Sequence, residues 1–179
     1  MMIRKLSYEE LIAARPNLAE AKNLPKHPIY GVVDNVRSLH NVGAIFRTAD
    51  GAGIQKLFLC GITGTPPKNE IHKTALGAEE NVAWQYHPDP VEVITPLKDQ
   101  GIQIVVLEHT IQSVHYQKAE FRFPLCLVVG HEHFGISEEV IALADLAIEI
   151  PMYGLKGSLN VGVAFGIAIY QIIWRLENF

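Results

Sequence analysis

The sequence predicts an α/β fold, a mostly parallel sheet with helices on both faces. Three observations predict it. Short runs such as Ile29–Val33, Gln103–Leu107 and Leu125–Val129 are apolar at nearly every position, not at alternate ones. A strand of that kind is buried on both sides, which is the condition of a strand in a parallel sheet between helix layers. Helical segments separate these runs, so that crossovers are available to join parallel neighbours. The chain has 179 residues and 49% of them are apolar, enough for one domain with a packed core.

Each element follows from local signals. Ser7-Tyr-Glu-Glu10 is a capping box that opens a short helix, and Pro16 limits it. Pro25 and Pro28 mark a linker, so residues 1–28 read as a helical arm and residues 29–179 as the main domain. Ile29–Val33 is the first core strand. Asn41 to Ala52 reads as a helix closed by Gly51 and Gly53. Lys56–Cys60 is the second strand, and Gly61 to Asn69, with Gly64, Pro66 and Pro67, is a loop. Val82–Tyr86 is the third strand. Pro90 starts a helix that ends near Gly101, with Asp89 as its N-cap. Gln103–Leu107 and Leu125–Val129 are strands four and five. Ser137 caps a helix to about Ala144, Ala147–Ile150 is strand six, and Ser158 opens a last helix that runs nearly to the end.

Composition narrows the class. The apolar run Leu159 to Trp174 is shorter than a membrane span and contains Asn160 and Gln171, so a buried helix is expected and no membrane partner. The first ten residues mix charges and lack the apolar run of a signal peptide. Cys60 and Cys126 sit in strand-like apolar runs and read as buried small hydrophobes, which fits a reducing, cytoplasmic compartment. Net charge is −4, but residues 1–73 carry ten Lys/Arg against six Asp/Glu, while residues 74–179 carry five against thirteen. The N-terminal part is the one suited to face phosphates.

Three segments carry more chemistry than scaffold requires. In Asp34 to Asp50, Asn41 stands near a helix start and Arg47 lies inside an apolar helical stretch. Arg47 is either a solvated helix residue or a group that grips a phosphate. In Val128 to Ser137, a strand ends at Gly130 and places Glu132 on the turn into a helix, which is where open α/β sheets bind ligands. His131 and His133 flank Glu132, yet no H-E-x-x-H spacing is present and no metal is expected. In Ile148 to Ala164, an irregular loop leads to Ser158 and Asn160 at a helix start, a place suited to ligand recognition. No G-x-G-x-x-G follows the first strand, and no P-loop or G-x-S-x-G elbow occurs.

These segments, in this order, resemble the signature motifs of the SpoU (TrmH-like) branch of the SPOUT RNA methyltransferases. Asn41-Val-Gly-Ala-Ile-Phe-Arg47-Thr-Ala49 resembles the first motif, Gly130-His-Glu132-His-Phe-Gly135 the second, and Ile150-Pro-Met152 through Ser158-Leu-Asn160-Val-Gly-Val-Ala164 the third. Lys73 to Glu79 also looks like a family segment. Gly162 departs from the family, which usually has a second Ser there.

The resemblance implies a C-terminal trefoil knot, a homodimer paired around the first and last helices, and S-adenosylmethionine as methyl donor. It implies a cofactor pocket lined by Leu107, Glu108, His109, Gly130, Ile150, Pro151, Met152, Ser158 and Leu159. It implies methyl transfer to a ribose 2′-hydroxyl of RNA, with Arg47 at the reacting centre and Asn41, Glu132, Ser158 and Asn160 orienting it, the ribose and the cofactor; tRNA and rRNA both fit, and the short chain favours tRNA. Because arginine stays charged, phosphate binding and polarisation of the 2′-oxygen fit Arg47 better than a literal base role. The alternative is an RNA-binding protein that keeps the fold without catalysis. The arm, with Arg4, Lys5, Arg15, Lys22 and Lys26, is either an RNA contact or a solvated helix face. Independently of the resemblance, the last helix is apolar on nearly every side and needs burial beyond one sheet face.

Overall fold

The computed structural model describes residues 3–178. Two short helices come first, α1 (Tyr8–Ala13) and α2 (Leu18–Asn23), and neither has a buried residue. The Ser7/Glu10 box closes in both directions, and Arg4 pairs with Glu10 at 2.8 Å, which ties up one of the arm's cations. Asn17 and Glu20 form a second capping box of the same kind, an Asn-x-x-Glu signature.

The main body runs β1 (His27–Asp34), α3 (Leu39–Gly51), β2 (Ile54–Cys60), α4 (Asn69–Ala75), α5 (Ala78–Asn81), β3 (Trp84–His87), α6 (Val91–Asp99), β4 (Gln103–Leu107), β5 (Val114–His115), β6 (Leu125–Val129), α7 (Glu138–Leu143), β7 (Leu146–Glu149) and α8 (Val161–Asn178). The seven strands form one sheet in the order β3-β2-β1-β6-β4-β7-β5, and every pairing is parallel.

Alternation along each strand feeds two cores. Val33, Leu57, Leu59, Val105, Leu125, Leu127 and Val129 face the layer that holds α3 and α8. Val32, Phe58, Cys60, Ile104, Val106, Cys126 and Val128 face the layer that holds α6 and α7. This is why the runs read as apolar throughout. Burial pushes the Cys60 thiol up to about 12 and raises that of Cys126, so both behave as apolar groups.

Several boundaries moved from expectation. The first strand begins at His27, inside the stretch assigned to the linker. Helix α3 starts at Leu39 with Ser38 as its cap; the Ser38 hydroxyl accepts from the Asn41 N–H, so Asn41 sits in the first turn and its side chain is free for other work. The segment after Asn69 folds as α4 and α5. The third strand is Trp84–His87, and the last is Leu146–Glu149. Asp89 does accept the Val91 N–H at 2.8 Å. Ser137 holds the cap position of α7 but makes no side-chain cap bond. Helix α8 opens at Val161, not Ser158, and Asn160 caps it by accepting from the N–H groups of Gly162 and Val163 at 3.0 and 3.3 Å. The two-residue edge strand β5 carries too little pattern to be read from sequence.

Among the described residues, no helix is long and apolar enough to cross a membrane. Helix α8 buries Phe165, Ala168, Ile169, Ile172 and Ile173, yet Val163 and Tyr170 are about half exposed, so a second apolar face remains at the surface.

Helix α3 lies hard against α4 at Gly43. A Cβ there would stand 2.4 Å from the Ile71 carbonyl oxygen and 3.1 Å from the Ala75 nitrogen, both backbone atoms that cannot rotate aside. Gly43→Ala is therefore expected to destabilise the fold by about 1–3 kcal/mol despite alanine's better helix propensity. Urea denaturation checks this, and an unchanged or raised midpoint would contradict it.

Candidate functional site

A cavity of about 250 Å³ opens beyond the carboxyl ends of β4, β6 and β7. Its wall comes from three stretches of chain: Leu107–His109 at the end of β4, Val129–His133 with Gly135 from the end of β6 onward, and Glu149, Ile150 and Ser158–Val161 with Ala164 from the end of β7 into α8. Open parallel sheets place ligands at this end because the strand-to-helix loops gather there.

The β6–α7 turn is a closed loop. His131 and Gly135 exchange backbone hydrogen bonds at 3.0 and 2.9 Å. The His131 Nδ1 accepts from the His133 and Phe134 N–H groups at 2.9 and 3.3 Å. Gly130 makes the closure possible: a Cβ there would lie 2.4 Å from the Gly135 carbonyl carbon. Gly130 thus serves this contact within the loop as well as lining the cavity.

The closed turn sends Glu132 toward the start of α3. One carboxylate oxygen accepts the Arg37 N–H at 3.0 Å; the other accepts the Ser38 N–H and the Asn41 side-chain amide, each at 2.9 Å. Asn41 in turn accepts from the Asn160 amide at 2.9 Å, and Asn160 caps α8. The direction of this relay is forced. A carboxylate only accepts and a helix N-terminus only donates, so each asparagine must turn its nitrogen toward Glu132 and its oxygen toward α8. Burial pushes the Glu132 carboxyl pKa up, but the Arg37, Ser38 and Asn41 donors outweigh it and hold the group below the ordinary glutamate range.

Two further carboxylates line the cavity. Glu108 accepts from its neighbour His109 N–H at 2.9 Å and from the Ile136 N–H at 3.1 Å. Glu149 accepts from the Ser113 hydroxyl at 2.6 Å and meets the His109 ring at 3.2 Å; these two contacts lower its pKa. Among the described residues, no three His, Cys, Asp or Glu side chains gather as a metal ligand set.

Of the expected cofactor residues, Leu107, Glu108, His109, Gly130, Ile150, Ser158 and Leu159 line the cavity, while Pro151 and Met152 stand beside it in the same loop and do not. Glu132, Ser158 and Asn160 line it too, and Asn41 reaches it through Glu132 and Asn160. Arg47 is not brought there. It is exposed and lines a separate groove of about 1140 Å³, with Arg15, Asp50, Tyr170 and Trp174. It lies six positions along the helix from Asn41, roughly 9 Å along the axis. Val129, His131, His133, Gly135, Glu149, Val161 and Ala164 also line the cavity, and the sequence points to none of them as a cofactor contact. Glu149 had a usable signal, a carboxylate closing the last strand.

Comparisons with known proteins identify the family. The profile of the SpoU rRNA Methylase family matches residues 28–170. The chain belongs to that family. A tRNA (guanosine(18)-2'-O)-methyltransferase of Aquifex aeolicus is 38% identical over 138 residues, which are 77% of this chain and 65% of that protein. The chain thus spans just under two thirds of that relative's length. Among solved structures, a TrmH/SpoU tRNA modifying enzyme of A. aeolicus superposes with a TM-score of 0.80 at 34% identity, over 89% of this chain and 81% of that one. The AdoMet-bound rRNA methyltransferase of Sinorhizobium meliloti superposes with a TM-score of 0.76 at 28% identity, over 87% and 60%. Gly162 packs α8 on α3: a Cβ there would meet the Ala44 Cβ at 3.3 Å and the Asn160 side-chain oxygen at 3.4 Å.

The lowered Glu132 pKa has a signed consequence. A carboxyl depressed in the folded state stabilises the fold above its unfolded value and loses that contribution as pH falls through the folded value. The stability gap between the wild type and Glu132→Gln is expected to be widest near neutral pH. It narrows as pH drops below about 4.3, the ordinary glutamate value. Urea denaturation at a series of pH values reads this gap, and one that stays constant into acid would contradict the relay.

Proposed function

We propose that this chain is an S-adenosylmethionine-dependent RNA methyltransferase that acts on a ribose 2′-hydroxyl, with tRNA as the substrate class. One observation carries the reading: the Glu132–Asn41–Asn160 relay joins all three motif segments around a single cavity. The names of the SpoU relatives support the reaction, and the 38% identical relative supports tRNA over rRNA.

The cavity residues fit the cofactor. Leu107, Val129, Ile150, Leu159 and Ala164 offer apolar walls for a purine ring, and Glu108, Glu132 and Glu149 offer acceptors for hydroxyl groups and for positive charge. When bound, S-adenosylmethionine supplies an activated methyl group on a positively charged sulfur. The chain's own task is positioning, which is worth about 7–11 kcal/mol of barrier when the reacting atoms are held in line. Glu132, Asn41 and Asn160 are positioning residues that fix the cavity wall. Arg47 binds the phosphate beside the target nucleotide and polarises its 2′-oxygen, whose proton passes to phosphate or water.

Arg47 reaches a cavity across a homodimer. It shares its groove with Tyr170, whose side of α8 stays exposed. A twofold contact through α3 and α8 buries that face and carries each Arg47 to the partner's cavity mouth. The same reading includes the trefoil knot. The chain leaves β4 for the edge strand β5, returns to the sheet centre at β6, and then inserts β7 between β4 and β5, a path that supports threading through the β4–β5 loop. It also includes a cytoplasmic location, which suits two buried free thiols and an RNA substrate.

Calorimetry with S-adenosylmethionine and methyl transfer to bulk unmodified tRNA test the activity. The wild type is expected to bind the cofactor and to methylate 2′-oxygens. Arg47→Ala is expected to lose about 10²-fold or more in turnover, as when a group that stabilises developing charge is removed, with cofactor affinity unchanged. Mixing Arg47→Ala with Ala164→Trp, which fills the cavity, should yield heterodimers with activity that neither variant has alone. No cofactor binding by the wild type would overturn the function; no recovery on mixing would overturn the shared site.

A further inference from the structure

We propose that Phe134 is the platform on which the unpaired base of the target nucleotide stacks, and so a specificity-determining residue for RNA. The inference rests on the methyltransferase reading above. Phe134 is 80% exposed, although it stands on the tightly closed His131–Gly135 turn and not on a loose loop. A ring left this exposed adds little to the packed core. It does have a binding role, since it presents a flat face at little entropic cost on association.

Its position matches what the chemistry requires. Base and ribose are joined by one bond, so the group that receives the base must lie beside the group that receives the 2′-hydroxyl. Phe134 lies between His133 and Gly135, and both line the cavity. The rings of His131 and His133 flank it, with centroids 4.9 and 4.8 Å away and interplanar angles of 42° and 74°. These contacts prop the ring from its sides. Tyr153 and Leu155, 93% and 100% exposed, add further uncharged surface on the loop that supplies Ile150 and Ser158 to the cavity. Single-stranded RNA bases splayed from their stack are received by aromatic faces of this kind.

The test uses the full chain with Phe134→Ala, Phe134→Leu and Phe134→Trp. Steady-state methyl transfer to bulk unmodified tRNA, cofactor calorimetry and solution mass are read for each. Phe134→Ala and Phe134→Leu are expected to raise KM for RNA about tenfold, the scale of one base–aromatic stack, with kcat within about twofold. Phe134→Trp restores KM, and cofactor affinity and oligomer mass do not change. An unchanged KM in Phe134→Ala overturns the proposal. So does full function in Phe134→Leu, which would mean mere apolar contact, a loss of cofactor affinity, which would place the ring against the cofactor, or a change in mass, which would place it against a second copy. Anisotropy with the same RNA separates this from the reading it rests on. Wild type that binds RNA without methylating it tells against methyl transfer alone, and the Phe134 effect is then read as a ratio of dissociation constants. Wild type that binds no RNA overturns both.

Discussion

A carboxylate that can only accept hydrogen bonds, facing backbone and amide groups that can only donate, sets the arrangement on which the rest of the site depends. Glu132 takes the Arg37 and Ser38 N–H groups and the Asn41 amide, and that choice propagates through Asn160 to the first turn of α8. The three stretches involved are separated by 91 residues between Asn41 and Glu132 and by 119 between Asn41 and Asn160. No local propensity brings them together. The parallel sheet delivers their ends to one edge, and the relay then fixes their orientation to within a hydrogen bond.

Backbone geometry supplies the other half. Gly130 lets the turn after β6 close on Gly135, and closure makes the turn rigid enough to aim Glu132 one way and Phe134 the other. The same turn therefore serves the wall of the cavity and its rim. Tight packing of α3 against α4 at Gly43 and of α8 against α3 at Gly162 holds the helices that carry Asn41 and Asn160. Small residues at these contacts matter because the relay tolerates little drift in either helix.

The sequence made the sheet legible because two-faced burial leaves continuous apolar runs, and five of the seven strands have them or nearly so. Edge strand β5 was illegible because two residues carry no pattern. The helix starts at Ser38 and Asn160 were misplaced for one reason: Asn41 and Ser158 are also good caps, and only the tertiary partners decide which polar residue caps and which reaches outward. Glu132, Asn41 and Asn160 were legible as a set through their motifs, but their mutual bonds were not. Arg47 was legible as a residue type, while its distance from the cavity was not, since periodicity fixes the face of a helix and not what is packed beyond it.

The most direct test of the account is a double-mutant cycle between Asn41→Ala and Asn160→Ala, read as affinity for S-adenosylmethionine by calorimetry. If one polar relay shapes the cavity, breaking it at either asparagine removes its effect, and the double variant should bind about as well as either single one. Losses that simply add would mean two independent contacts and would contradict the account.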